Sequence, residues 1–351
     1  DALHTEIRIG GGAGSVSVQL SSRREHLAGA IALVADLLRH PSFPAESLLE
    51  VKRQSLSSIE QARKEPHAVI SNALARLGNP YPRGDVRYAR TFDEIVEDVN
   101  GVTLEQVREH HRRFYGASRA EFGAVGDMDV AAVRQALQTA FGDWKSGEPF
   151  ARIPQPIVSV PAQRLLLKTP DKQNATMRVE LPVPLSDNDT DYAALTMANY
   201  LLGSGGSSRL WKRIREVEGL SYDVRSTMDW NNIEPHSEWS ASAIFAPQNR
   251  PKVEAAFREE IARALKDGFS AKELAEGQRG LLNFRRLSRA QDASVAAGLA
   301  GNLYLGRTFA RSAEVDAQLD ALTLSQVNDA LRRYLKPEDF VYGFAGDFKQ
   351  P

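Results

Sequence analysis

At 351 residues the chain is long enough for two domains with separate cores, and 42% hydrophobic with 25% charged residues is an ordinary globular composition. A formal net charge of −1 without a long basic run lacks the electrostatic footprint of a nucleic-acid binder. The absence of cysteine excludes disulfides, thiolate metal sites and cysteine nucleophiles, and no apolar stretch reaches the ~18 residues of a membrane-spanning helix.

In chain order, Ser15–Leu20 alternates polar and apolar residues as a half-buried strand does. Apolar residues at helical spacing predict a helix over Glu25–Leu38, closed by Pro41. Further helices are expected over Ala45–Lys64, capped near Ser42 and ended before Pro66, and over His67–Leu77. Asn79–Gly84 is a loop by its Pro and Gly content. Thr103 caps a helix through Phe114 with Gln106 at the capping-box position. Glu121–Val125 reads as a strand and Val130–Phe141 as a helix. Four prolines between residues 148 and 162 mark a linker. Beyond it come strands at Gln163–Lys168 and Ala175–Leu181, a helix over Asp189–Leu202, a Gly/Ser loop at Gly203–Ser208 and a helix over Arg209–Val217. Strands near Ser221–Met228 and Glu238–Phe245 follow, then helices over Val253–Asp267, Ala271–Ser288 and Ala293–Leu305. The Thr323 helix and a last strand close the chain.

The chain repeats itself. Thr103, Leu104, Gln106, Val107, Arg112, Arg113, Gly126 and Asp127 recur as Thr323, Leu324, Gln326, Val327, Arg332, Arg333, Gly346 and Asp347, 220 residues later without a gap. Phe43, Ala45, Leu48, Glu50 and Arg53 recur as Phe269, Ala271, Leu274, Glu276 and Arg279, 226 residues later. Two matched blocks in one order indicate a duplicated domain. Runs of strands followed by runs of helices, twice over, predict an α+β fold with helices packed on an antiparallel sheet. Two tandem homologous domains are expected at 1–147 and 163–351, joined by the linker 148–162. The second copy begins near Gln163, so the first is expected to lack roughly 60 residues at its start. Burial should follow the repeat, with Leu104, Val107 and Phe114 in one core and Leu324, Val327 and Tyr334 in the other.

The seven histidines are His4, His26, His40, His67, His110, His111 and His236. None has a second histidine one helical turn away with a carboxylate nearby, the arrangement a zinc site requires. No G-x-S-x-G elbow is present. Gly10–Gly14 precedes a strand, so it suits a hairpin turn rather than a phosphate cradle. Gly203–Ser208 opens a helix but lacks the Gly-Lys-Ser/Thr ending of a nucleotide loop. No catalytic centre is legible in this chain alone.

The stretch Ser208-Arg209-Leu210 through Ile214-Arg215-Glu216 to Gly219-Leu220-Ser221-Tyr222 resembles a segment of the pitrilysin/insulinase (M16) family of zinc peptidases, written loosely SRL…IRE..GL.Y. The resemblance covers nearly the whole chain, and duplication is itself a trait of that family. It implies a peptidase of two halves, each with two similar α+β domains, closing around a peptide. The N-terminal half carries an inverted H-x-x-E-H zinc motif and a downstream glutamate ligand. The other half contributes an Arg and a Tyr seven residues apart, here Arg215 and Tyr222, as substrate-binding residues. A guanidinium grips carbonyl or carboxylate oxygens in a fixed fork, and a tyrosine hydroxyl can donate to a developing oxyanion. Read from spacing alone, Arg215 serves equally as a residue near a helix C-terminus and Tyr222 as a packed residue of the sheet.

Alignment to the family places Ser58 at the glutamate-ligand position and Val51 at an accompanying acidic one, and neither binds zinc well. The resemblance therefore implies a chain without metal of its own, with zinc in a catalytic N-terminal half or a partner subunit. It would be inactive by itself and would complete the chamber for a peptide substrate. Analogy with long bacterial members suggests a periplasmic location, while no residue of this chain itself indicates the compartment. A structural core-type subunit and a peptide-binding module of the same fold are the alternatives.

Overall fold

The computed structural model describes residues 5–12 and 14–349; His4 and Ala13 lie outside them. In chain order the elements are β1 (Glu6–Gly12), β2 (Ser15–Ser21), α1 (Leu27–Arg39), α2 (Ala45–Ala62), α3 (Pro66–Arg76), α4 (Phe92–Gly101), α5 (Leu104–Phe114) and α6 (Val130–Phe141). They continue with β3 (Gln163–Lys168), β4 (Ala175–Val183), α7 (Tyr192–Asn199), β5 (Asp223–Asp229), β6 (Ser237–Phe245), α8 (Arg250–Asp267) and α9 (Ala271–Ser288). Last come α10 (Asp292–Tyr304), α11 (Ala310–Asp320), α12 (Leu324–Tyr334) and β7 (Val341–Gly346). The fold is a mixed α+β one, and among the described residues no helix is long and apolar enough to cross a membrane.

Contacts gather the chain into two units. One holds Asp1–Leu56, Val96–Pro154 and Arg289–Phe309; the other holds Ser57–Ile95, Gln155–Ser288 and Ala310–Pro351. The crossing at Pro154 falls inside the expected linker, and each unit also takes a segment from the far side of that boundary.

In the first unit, β1 and β2 pair antiparallel from Glu6↔Ser21 to Gly12↔Ser15, which puts the glycine-rich stretch at the closed end of a hairpin. Helix α1 buries Ala30, Ile31, Val34 and Ala35 and packs against α6. Arg39 locks their ends by donating to Ala140 O and to Asp143 at 2.8 Å each. The strand expected at Glu121–Val125 does not form. With no partner ladder among the described residues, that stretch lies as extended chain against α10, where a Cβ on Gly123 would stand 2.3 Å from Ala296 O.

The second unit carries a five-stranded sheet in the order β3-β7-β4-β6-β5, parallel only between β3 and β7. Alternation in β4 and β6 sends Met177, Val179, Leu181, Trp239, Ala241 and Ala243 into one face. Residues of α7, α8, α9 and α12 cover that face, and with them they form the main core. Helix α3 lies on the opposite face, with Ile70 and Leu74 against Val341 and Ala345, over the gap left by Gly343.

The repeated helices share their local chemistry and differ in burial. Thr103 and Thr323 each accept from the N–H three residues on, at 3.2 and 3.3 Å, and the returning Gln106 and Gln326 side chains complete both capping boxes. Helix α12 buries Val327, Asn328, Ala330 and Leu331 between α7 and α8. Helix α5 buries no residue, and its Phe114 is 50% exposed. The expectation that burial follows the repeat therefore fails: no helical layer equivalent to α7 and α8 encloses α5 among the described residues. Helices α4 and α11 were not anticipated from the sequence. The helix expected over Asp189–Leu202 is α only from Tyr192 to Asn199 and then widens into a π-type turn over Tyr200–Ser204.

Candidate functional site

The segment Ser208–Tyr222 lies in the second unit, where it leads from a helix into the edge strand β5. Its helix is π-type over Trp211–Val217 and closes with the Glu218 N–H donating to Arg213 O at 3.2 Å. Wide turns of this kind are rare in helices and concentrate at functional sites. Gly219, with φ of 62°, then reverses the chain. The Leu220 N–H returns to Ile214 O at 2.9 Å, and the Tyr222 N–H joins the sheet at Ile244 O, also at 2.9 Å. The Ser221 hydroxyl stands 2.7 Å from both Ile244 O and Asp223 O.

Most residues of the segment have work inside the fold. Ser208, Leu210 and Ile214 are buried. Arg209 reaches Glu273 at 2.7 and 3.0 Å and donates to Gly268 O at 2.7 Å. Burial alone would raise the Glu273 carboxyl, but the Arg209 guanidinium and the Ser270 N–H and hydroxyl outweigh it and hold Glu273 at about 2. Its contribution to stability is thus present above pH 4.5 and is lost as pH falls towards 2. Arg213 pairs with Glu218 and with Glu259.

Arg215 and Tyr222 differ from these. Tyr222 is 67% exposed and does not pack in the sheet. Arg215 is exposed, its guanidinium 4.1 Å from the centre of the Trp211 ring. Among the described residues neither side chain has a hydrogen-bond or ion-pair partner. Sequence reasoning missed Trp211 and the π-type geometry around it, because nothing in residue spacing separates a π turn from an α turn.

Behind this segment, Asn199 Oδ1 accepts from the Ser226 hydroxyl at 2.6 Å and from the Trp239 indole at 3.0 Å, tying the end of α7 to β5 and β6. Gly203 is pressed against the same strand: a Cβ there would sit 2.3 Å from Ser226 Oγ and 2.6 Å from its backbone N. Gly203→Ala should therefore destabilise the chain by about 1–3 kcal/mol, the usual cost of overpacking. A chemical denaturation midpoint equal to that of the parent would refute this close approach.

On the sheet face opposite the main core, Arg178 bonds Glu180 at 2.5 Å and reaches Glu238 at 3.5 Å. Burial first, then repulsion from Glu180, pushes Glu238 up to about 7; Arg178 offsets this only in part. The folded state holds that proton more tightly than the unfolded chain, so stability declines as pH rises from about 4.5 to 7. Glu238→Gln should remove this slope and raise the melting temperature at pH 8 but not at pH 4.5. Parallel melting curves for both proteins across that range would contradict the assignment.

Ser58 and Val51 lie exposed on α2, two turns apart. Among the described residues, no group of three or more His, Asp or Glu side chains is arranged to hold a metal ion. Several histidines have local partners: His111 Nε2 lies 2.7 Å from Leu38 O, and His236 Nδ1 lies 2.8 Å from Gln155 O.

Arg215 and Tyr222 thus stand exposed at a helix-to-strand turn beside the edge strand of a mixed α+β fold. The family model of the peptidase M16 inactive domain matches residues 101–281, and the chain belongs to this family. A non-peptidase homolog, YmxG, of Helicobacter pylori is 19% identical over 336 residues, covering 95% of this chain and 76% of that protein. An uncharacterized zinc protease of Streptomyces coelicolor is 26% identical over 203 residues, 56% of this chain and 43% of its own length. The crystal structure of a peptidase M16 inactive domain from Pseudomonas fluorescens shares the fold, with a TM-score of 0.81 at 23% identity over 100% of this chain and 83% of that one.

Proposed function

We propose that this chain is the non-zinc half of a zinc endopeptidase, completing the substrate chamber and contacting bound peptide through Arg215 and Tyr222. The observation that carries this reading is the division of labour in Ser208–Tyr222. Buried or ion-paired residues account for most of the fold there, while Arg215 and Tyr222, like Lys212, stay exposed with no polar side-chain partner among the described residues. Zinc would belong to a catalytic half bearing H-x-x-E-H, in the same polypeptide or in a partner subunit. The two tandem homologous domains, 1–147 and 163–351 with the linker 148–162, are part of the same reading, supported by the matched sequence blocks and the twin capping boxes.

A second reading is favoured by the Helicobacter pylori relative, called a non-peptidase homolog and aligned over 95% of this chain. In that reading the same surface binds peptide, or serves assembly, without hydrolysis.

Reconstitution separates the two. The purified chain, washed with chelator, is expected to retain no stoichiometric zinc and to cleave no peptide. Mixed with an H-x-x-E-H-bearing half of the same family encoded beside it, it should yield zinc-dependent cleavage that the half alone lacks. About one zinc per chain lost together with a measurable activity would sink the non-metal assignment. No gain of activity on mixing, with stable association of the two, would favour the second reading.

A further inference from the structure

The π-type turn puts Trp211 beside two successive residues that an α-helix would not both bring to it. The i→i+5 closure widens the turn, so residues four and five ahead flank residue 211. One of them, Arg215, lays its guanidinium on the indole ring at 4.1 Å. The other, Glu216, accepts a hydrogen bond from the indole Nε1–H at 3.1 Å. Glu218 at the end of the same turn and Glu259 on α8 are both engaged by Arg213. Arg215 is therefore a cation held by a ring face rather than by a carboxylate, with its edge donors unclaimed among the described residues.

We propose that Trp211 is the positioning residue for Arg215: its ring holds the guanidinium in one orientation, and its indole N–H draws Glu216 away, leaving the guanidinium edge open to a carboxylate or carbonyl of an extended peptide. The inference rests on the peptide-contact reading of Arg215. Stacking through the face leaves the in-plane N–H groups of the guanidinium available, which is the geometry that bidentate recognition of an oxygen pair requires. Without the indole donor, Glu216, which touches the same ring as Arg215, is released to reach the guanidinium. The surface would then present a self-satisfied ion pair rather than a binding group.

The two roles of Trp211 separate by substitution. Trp211→Phe keeps a ring face and removes the donor; Trp211→Ala removes both; adding Glu216→Gln to Trp211→Phe removes the competing charge. With fluorescein-labelled casein peptides as the probe, affinity of the full chain is read by polarisation. Trp211→Ala should bind about two- to fivefold more weakly, the scale of a lost cation–π contact at an exposed site. Trp211→Phe should also weaken binding, and the Trp211→Phe/Glu216→Gln pair should restore most of it. A purely structural tryptophan would give no such rescue.

A second readout needs no peptide. In the chain labelled at arginine for NMR, the Arg215 side-chain resonances should be displaced upfield by the indole ring, remain displaced in Trp211→Phe, and relax in Trp211→Ala. Undisplaced Arg215 resonances in the parent, or equal affinities for Trp211→Phe and its Glu216→Gln pair, would overturn the positioning role. If Arg215→Ala binds the probe as the parent does while the displacement is present, the peptide-contact reading fails and the stacking stands. The two failures are thus told apart.

Discussion

Tyr222→Phe, introduced into the reconstituted peptidase, is expected to lower kcat about 100-fold while leaving the melting temperature unchanged. The phenol is 67% exposed and without a polar partner among the described residues, so removing its oxygen breaks no bond of the fold. What it removes is a donor that, in the proposed chamber, would meet an oxyanion developing on the scissile carbonyl. One preorganised donor of that kind is worth about 100- to 1,000-fold in kcat. The backbone around the residue is rigid enough for the role: its N–H is paired to Ile244 O, and Ser221 before it is bonded to the same carbonyl. Arg215→Ala should act mainly on KM if the guanidinium grips ground state and transition state alike. Steady-state kinetics with thermal melts decide the matter. Parent-like rates for both variants, or activity lost only in step with folding, would return the pair to an ordinary surface role.

Trp239→Ala is expected to cost about 3–5 kcal/mol. The side chain is 2% exposed and stacks on Phe340, with ring centres 5.2 Å apart and planes 16° from parallel. It sits on β6, between β4 and the edge strand β5, opposite Leu181 and Met228, so its loss opens a cavity that three strands must close together. The indole N–H is also one of two donors to the buried Asn199. Trp239→Phe should recover most of the apolar burial but not that bond, and so should cost about 1–2 kcal/mol. Urea unfolding measures both. The midpoint should fall in each variant with the slope retained. A loss below 1 kcal/mol for the alanine variant would mean that this sheet does not form the core.

Both expectations concern residues whose environment was only partly legible in the sequence. The Ser208–Tyr222 segment stood out by residue identity, as did the glycine that turns it. That Arg209 is bound to Glu273 while Arg215 rests on Trp211 was not legible, because two arginines six residues apart look alike until the elements facing them are known. Asn199 carried no signal at all. Its importance comes from Ser226 and Trp239, which lie 27 and 40 residues further along the chain.

What the sequence determined by itself is local. The capping boxes at Thr103 and Thr323 depend on residues three apart, and one forms at the start of each helix. The β1–β2 hairpin closes at glycine-rich residues beside the Gly12↔Ser15 pair, and the two faces of β4 and β6 follow a period of two. Tertiary structure decided whatever required a distant partner. Glu121–Val125 has strand-like residues but no ladder among the described residues, and Phe114 has the character of a core residue but no helical layer to enclose it. The helix that carries Arg215 has an α-like pattern, yet it is π-type over Trp211–Val217, just before the chain turns into the sheet edge. Hydrogen bonds within a turn are set by neighbours in sequence, whereas burial and strand pairing are set by surfaces that folding alone brings together.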